Sequence, residues 1–325
     1  MDYIKKFPKR ELNTHILKLI NEAINNELQS KAGKRSIQDY YYDNTCSIIH
    51  PKNNCISYAK AIKFLQKSNY KDENCIILVP LELEKLPEFK KFKEKCSNGV
   101  FIGVKNPLEI FLDIHDYLHL DELPRQWFHN PKSLGNGVYV GENVEIGKNT
   151  IIYPGTVIYD NVKIGNNCLI HSNCSIGGDG FRFIQRDDGT FRKMIHISNP
   201  GVIIEDEVEI QSNCNVSRGV FDPTRIGKGT KIDALVHIAH NDVIGNDNII
   251  AAQTCLSGSV EMGSNNWVGA GVVISNGVTI GNNNWFGLGV RVAFDVGNNE
   301  KLSGFYGVPH EKWMGWWKKE FRREK

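Results

Sequence analysis

The sequence predicts a mainly β protein: a parallel β-helix of hexapeptide repeats, preceded by a small α/β unit and followed by a short helix. From Leu134 an aliphatic residue returns at every sixth position, at Val140, Ile146, Ile152, Ile158, Ile164, Ile170 and Ile176. The series resumes at Ile204, Ile210 and Val216 and slips by four residues. It then runs unbroken through Ile226, Ile232, Ile238, Ile244, Ile250, Leu256, Met262, Val268, Ile274, Ile280, Phe286 and Val292. Glycine often follows the aliphatic residue, and a small or β-branched residue such as Val144, Thr150, Val162 or Cys168 precedes it by two. Neither a 3.6 nor a 2.0 period fits this spacing. Each hexad instead reads as a short strand with two inward residues, then a corner where Gly or Asn tolerates positive φ. Stacked hexads share one core and stabilise each other by nearest-neighbour contact.

The other elements follow in chain order. Residues 1–130 read as an α/β domain, with an amphipathic helix over 11–29 and helices over 56–67 and 106–118. Buried strands are expected at CIILVP (75–80) and NGVFIGV (98–104). Pro124 and Pro131 mark a junction, and the β-helix occupies 131–300. The interruption at 177–200, GGDGFRFIQRDDGTFRKMIHISNP, is too polar and aromatic to stack, so it is expected to project as a loop held by Phe181 and Phe183. SRGVFDPT around Pro223 predicts a smaller bulge. Residues 301–325 form a tail whose helix starts near Pro309, with Trp313, Trp316 and Trp317 spaced for packing or, as a basic Trp helix, for binding a membrane or an acidic carrier protein.

Composition removes several function classes. Lys and Arg total 39 against 37 Asp and Glu, so no general field favours nucleic acid. The N-terminus is charged every few residues, and no window approaches the ~18 to 20 apolar residues of a membrane span. The expected setting is the cytoplasm, with no transmembrane segment. The eight cysteines include no CxxC pair, which argues against structural zinc and redox chemistry and for reduced, mostly buried thiols.

The stretch VHIAHNDVIG (236–245) carries two histidines. The inward slots are 236 and 238, which puts His237 and His240 outside the repeat core. His240 sits at a turn beside Asn241, where a neutral imidazole can accept a proton. A metal site needs a third ligand one coil away, and 219–222 and 255–258 hold no histidine, so no metal is expected. In DGFRF, Asp179, Phe181 and Phe183 suggest the wall of a polar pocket, with Arg182, Arg186 and Arg192 available to phosphate.

At these residues the chain resembles the hexapeptide-repeat acyltransferases, and among them the UDP-3-O-acylglucosamine N-acyltransferase family of lipid A biosynthesis. The resemblance spans about 45 to 317. It rests on IGGDGFRF (176–183), VIIEDEVEIQSNCNVSRGVFDPTRIG (202–227), KIDALVHIAHNDVIGNDNIIAAQTCLSGS (231–259) and GVPHEKW (307–313), with CISYAKAIKFL and VKNPLEIF in the first domain. It implies a left-handed β-helix, a homotrimer with active sites between subunits, and direct acyl transfer from acyl-CoA or acyl carrier protein with no permanently bound cofactor. His240 takes the place of the general base, the Gly258 N–H that of the oxyanion donor, and Asp233 that of a sugar ligand, with His237 and Asn241 beside it. Tyr58 and Phe64 fall in the nucleotide-binding segment.

Two departures shape the expected substrate. Gly277 stands where the lipid A enzymes carry a second active-site histidine, and Ala61-Ile62-Lys63-Phe64 replaces their Asn-Pro-Lys-Tyr. The sequence reading therefore favours N-acylation of a dTDP- or UDP-linked amino-deoxy sugar for surface polysaccharide, with lipid A acylation second and a non-catalytic nucleotide-sugar-binding β-helix third.

Overall fold

The computed structural model describes residues 14–30, 42–71, 73–96, 98–119, 132–135, 137–186, 188–304 and 309–321. The predicted junction at Pro124 and Pro131 lies outside them. The N-terminal unit has one parallel sheet in the order β1 (Asn44–Thr45), β2 (Cys55–Tyr58), β3 (Cys75–Pro80), β4 (Val100–Val104). Around it are α1 (Thr14–Ser30), α2 (Ile62–Gln66), α3 (Pro87–Glu94) and α4 (Pro107–His119).

The helix expected over 56–67 is corrected to a strand and a short helix. CISY pairs in parallel with Cys75–Leu78, because alternate residues serve opposite faces of the sheet. Ile56, Ile76 and Leu78 pack with α1 and α4, whereas Cys55, Cys75 and Ile77 pack on the other side with Leu65 and Phe89.

The hexads form three parallel sheets whose strands recur one coil apart, consistent with the expected left-handed parallel β-helix. The register stacks equivalent residues directly, as in Ile238 on Leu256 and Ile250 on Val268. Their inward side chains merge into one core running from Val140 to Val296. Burying each such aliphatic side chain contributes about 1.5–3 kcal/mol.

The first coil departs from expectation. Leu134 lies in Lys132–Gly135, which runs antiparallel to Val138–Val140, and Ile146 is exposed because its strand ends its sheet with no coil beyond it. The corners divide two tasks. Positive φ falls mainly on Asn, including Asn143, Asn161, Asn173 and Asn241. Gly245, which follows its aliphatic residue, is instead required by close approach: a Cβ there would lie 2.7 Å from the Gly263 carbonyl.

A buried polar spine adds to the aliphatic core. Asn266 donates its amide to Asn248 Oδ1 at 3.0 Å, and the Asn284 backbone N–H donates to Asn266 Oδ1 at 2.9 Å. The interruption 177–200 forms a hairpin, Phe183–Gln185 against Phe191–Lys193. Its anchors are Ile184 and Met194, buried in the N-terminal core. Phe181, expected to hold the loop, is 87% exposed. Helix α5 (His310–Phe321) follows the coil; Trp316 is exposed, and the side chains of Trp313 and Trp317 lie outside the described residues. No described helix is long and apolar enough to cross a membrane. All eight cysteines are free thiols, seven of them buried.

Candidate active site

The corner after the strand His237–Ile238 carries His240. It lies outside the β-helix core, as the hexad count requires, yet it is only 5% exposed. The loop 177–200 folds over it. A Cβ on Gly180 would lie 2.7 Å from His240 Cβ and 3.1 Å from its Cδ2. From the next coil, a Cβ on Gly258 would lie 2.6 Å from His240 Nε2. Glycine at both positions lets two backbones press on the imidazole.

The imidazole is oriented by Asn241. The Asn241 carbonyl oxygen Oδ1 accepts the Val220 N–H at 3.0 Å, and its Nδ2 donates to the Asp222 carbonyl at 2.9 Å, which fixes the amide. Oδ1 also lies 3.2 Å from His240 Nδ1, so Nδ1 must donate the proton and Nε2 keeps its lone pair. The corner is pinned by Asp242, whose carboxylate accepts N–H bonds from Ala239 and from Val260 one coil on, each at 2.9 Å. Burial lowers the His240 pKa, the Asn241 hydrogen bond opposes that shift, and the positive charge of Arg182 adds to it. His240 is therefore neutral near pH 7.

The remaining expected residues separate into three groups. Asp179 reaches the site: its Oδ2 pairs with Lys193 Nζ at 2.6 Å, and its Oδ1 is buried with no partner among the described residues. The rings of Phe181 and Phe183 lie 4.8 Å apart, tilted at 50°, on the exposed side of the hairpin. His237 faces outward in register with Asn215 and Cys255, and burial lowers its pKa. Asn241, expected to touch substrate, instead spends its amide on the bulge and on His240.

The remaining expected residues sit on other elements. Asp233 sits at the preceding corner, with the strand His237–Ile238 between it and His240, and its carboxylate accepts the Ala234 and Ala252 N–H groups. Tyr58 packs on Phe111 at 4.7 Å on one face of the N-terminal sheet, while Phe64 lies with the cluster on the other face, so the two rings do not form a shared stacking site. Among the arginines weighed for phosphate, Arg192 is committed to Asp113 at 2.9 Å, Asp116 at 2.7 Å and the Leu112 carbonyl. Arg182 acts electrostatically on Tyr58, Lys60 and His240.

His196 escaped the sequence reading. It is fully buried, 6.0 Å from His240 in an edge-to-face contact, and burial pushes its pKa down to about 4. Its position in an aperiodic insertion gives no register from which proximity to His240 can be counted.

The bacterial transferase hexapeptide family (six repeats) matches residues 143–178. The chain is 56% identical over 139 residues to a UDP-3-O-acylglucosamine N-acyltransferase of Geobacter sp. (strain M21), a match covering 43% of this chain and 39% of that protein. It is 37% identical over 139 residues to the protein of that name from Wolinella succinogenes, covering 43% of each. These matches span about two-fifths of the relatives' length. Among solved structures, a UDP-N-acetylglucosamine acyltransferase from Francisella novicida is 21% identical with a TM-score of 0.47, covering 58% of this chain and 71% of that one. Residues 143–178 of this chain thus match the bacterial transferase hexapeptide repeats, and the later coils continue the same parallel coil architecture.

Proposed function

We propose that this chain is an N-acyltransferase that moves an acyl group from a thioester to the amine of UDP-3-O-acylglucosamine. The observation that carries this reading is the His240 ring, its Nδ1 held by the Asn241 amide and its Nε2 left unprotonated where Gly258 of the next coil packs against the ring. The relatives' names supply the acceptor, and they favour lipid A acylation over the dTDP-sugar reading that the sequence placed first.

The reaction balances without a cofactor. The amine lone pair attacks the thioester carbonyl while His240 Nε2 takes an N–H proton. The oxyanion meets the Gly258 N–H. Collapse expels the thiolate, which recovers the proton from His240, leaving an amide and a free thiol. The donor is an acyl carrier protein or coenzyme A thioester. Since Asp233 lies at the other corner of the coil, a homotrimer would let Asp233 of one subunit serve the His240 of its neighbour.

Purified protein supplied with UDP-3-O-acylglucosamine and acyl-acyl carrier protein should release free thiol and an N-acylated sugar detected by mass spectrometry. Acylation only of a dTDP-linked amino sugar from acyl-CoA would restore the first sequence reading. Consumption of neither donor would sink the enzyme reading.

A further inference from the structure

We infer that His196 is a positioning residue for His240: it braces the imidazole beneath the loop and stabilises its protonated form. The inference rests on the base role proposed for His240, and its geometry is independent of substrate identity. His196 Nδ1 lies 3.0 Å from the Met194 carbonyl, an acceptor only, so Nδ1 carries the proton and Nε2 the lone pair. Nε2 is buried with no hydrogen-bond partner among the described residues. A Cβ placed on Gly180 would lie 3.1 Å from both His196 Nε2 and His240 Cδ2. His196 Nε2 and His240 Cδ2 therefore border the same space above Gly180, which leaves no room for a side chain. A ring carbon next to nitrogen becomes strongly positive in imidazolium, so a neutral lone pair there favours the protonated base.

His196 is itself rigidly placed. The Ile195 carbonyl accepts from His115 Nε2 at 2.9 Å, and the Ile197 N–H donates to the Val220 carbonyl at 2.7 Å. Thus α4 holds one side of His196, and the bulge that orients Asn241 holds the other. The charged and titratable groups around the pair are Asp179 and Lys193 on the loop, Arg182 beside Gly180, and His237 on the strand before His240. Asp179 favours positive charge on His196 and Lys193 opposes it, while Arg182 opposes positive charge on His240.

The test uses His196→Phe, which keeps a buried ring but removes the lone pair, and His196→Gln, which restores an acceptor. NMR titration of His240 in the free protein should show its pKa falling by about half a unit in His196→Phe and recovering in part in His196→Gln. In turnover, His196→Phe should lower kcat about tenfold at unchanged KM, with the acid limb moved to lower pH. An unchanged His240 titration and kcat in folded His196→Phe would overturn the inference. If His196→Phe does not fold, His196→Leu makes the same test: it also removes the lone pair, and an unchanged His240 titration there overturns the inference equally. Retained activity in His240→Ala would remove the base reading, while the titration would still report whether His196 tunes the ring.

Discussion

The β-helix and the loop that interrupts it at 177–200 are built on opposite terms. In the coil each residue repeats the environment of the one a coil away, so Ile238, Leu256 and Ile274 share one slot. In the loop nothing repeats: Gly180 presses on His240, Ile184 and Met194 leave for the N-terminal core, and Arg192 ties back to α4. The coil supplies His240 and Gly258 on adjacent corners, while the loop decides how buried and how basic that histidine is. A regular scaffold sets spacing, and the irregular insertion sets the electrostatics of the site.

Breaking each region separately sharpens this contrast. His240→Ala should lower turnover by about 10²- to 10⁴-fold, read from free-thiol release. Because the side chain lies outside the coil core, thermal unfolding should shift little. Ile238→Ala reverses the pattern, costing about 2–5 kcal/mol in denaturant unfolding through the cavity it leaves in the stack. Arg192→Met should cost about 1–3 kcal/mol by stranding Asp116, which is partly buried beside it. It should also loosen the loop, raising amide exchange there while leaving the far coils protected. His237→Ala should change turnover least, since its ring faces outward and makes no contact that orients His240.

Acid should test the loop side of the comparison. Burial pushes His115 down to about 3 and His196 to about 4, against an ordinary value of 6.5. Between those values and 6.5 the unfolded chain binds more protons than the folded one. Their contribution is therefore complete above about pH 6.5 and is lost as pH falls toward 4. Unfolding monitored over that range should show His115→Phe flattening the decline. A slope identical to the parent would mean that these histidines are not held neutral by the fold.

The contrast also explains what was legible in advance. Hexad counting located the coil, put 236 and 238 inward, and set His240 off the core, because the period of a stacked structure is written along the chain. It misjudged Ile146, since the first coil has no neighbour on its outer side among the described residues to cover it. It missed that Asn248, Asn266 and Asn284 fill inward slots, since a polar residue there is tolerated only when the coils above and below complete its hydrogen bonds. Within the site, the sequence reading gave His240 the base role and Gly258 the oxyanion role, which remain proposals, and it gave Asn241 to the substrate. Its actual partners are Val220, Asp222 and His240, two of which come from a bulge outside the hexad register.

The sequence by itself determined the repeat, the place of its interruptions and the corner that carries His240, because those follow from local spacing and from which residues accept burial or positive φ. Only the tertiary structure decided that Phe181 is exposed while Ile184 and Met194 anchor the loop, that Arg192 serves α4, and that His196 stands beside His240. Those outcomes depend on contacts between segments with no shared period, and such contacts are settled by packing and hydrogen-bond satisfaction across the whole fold.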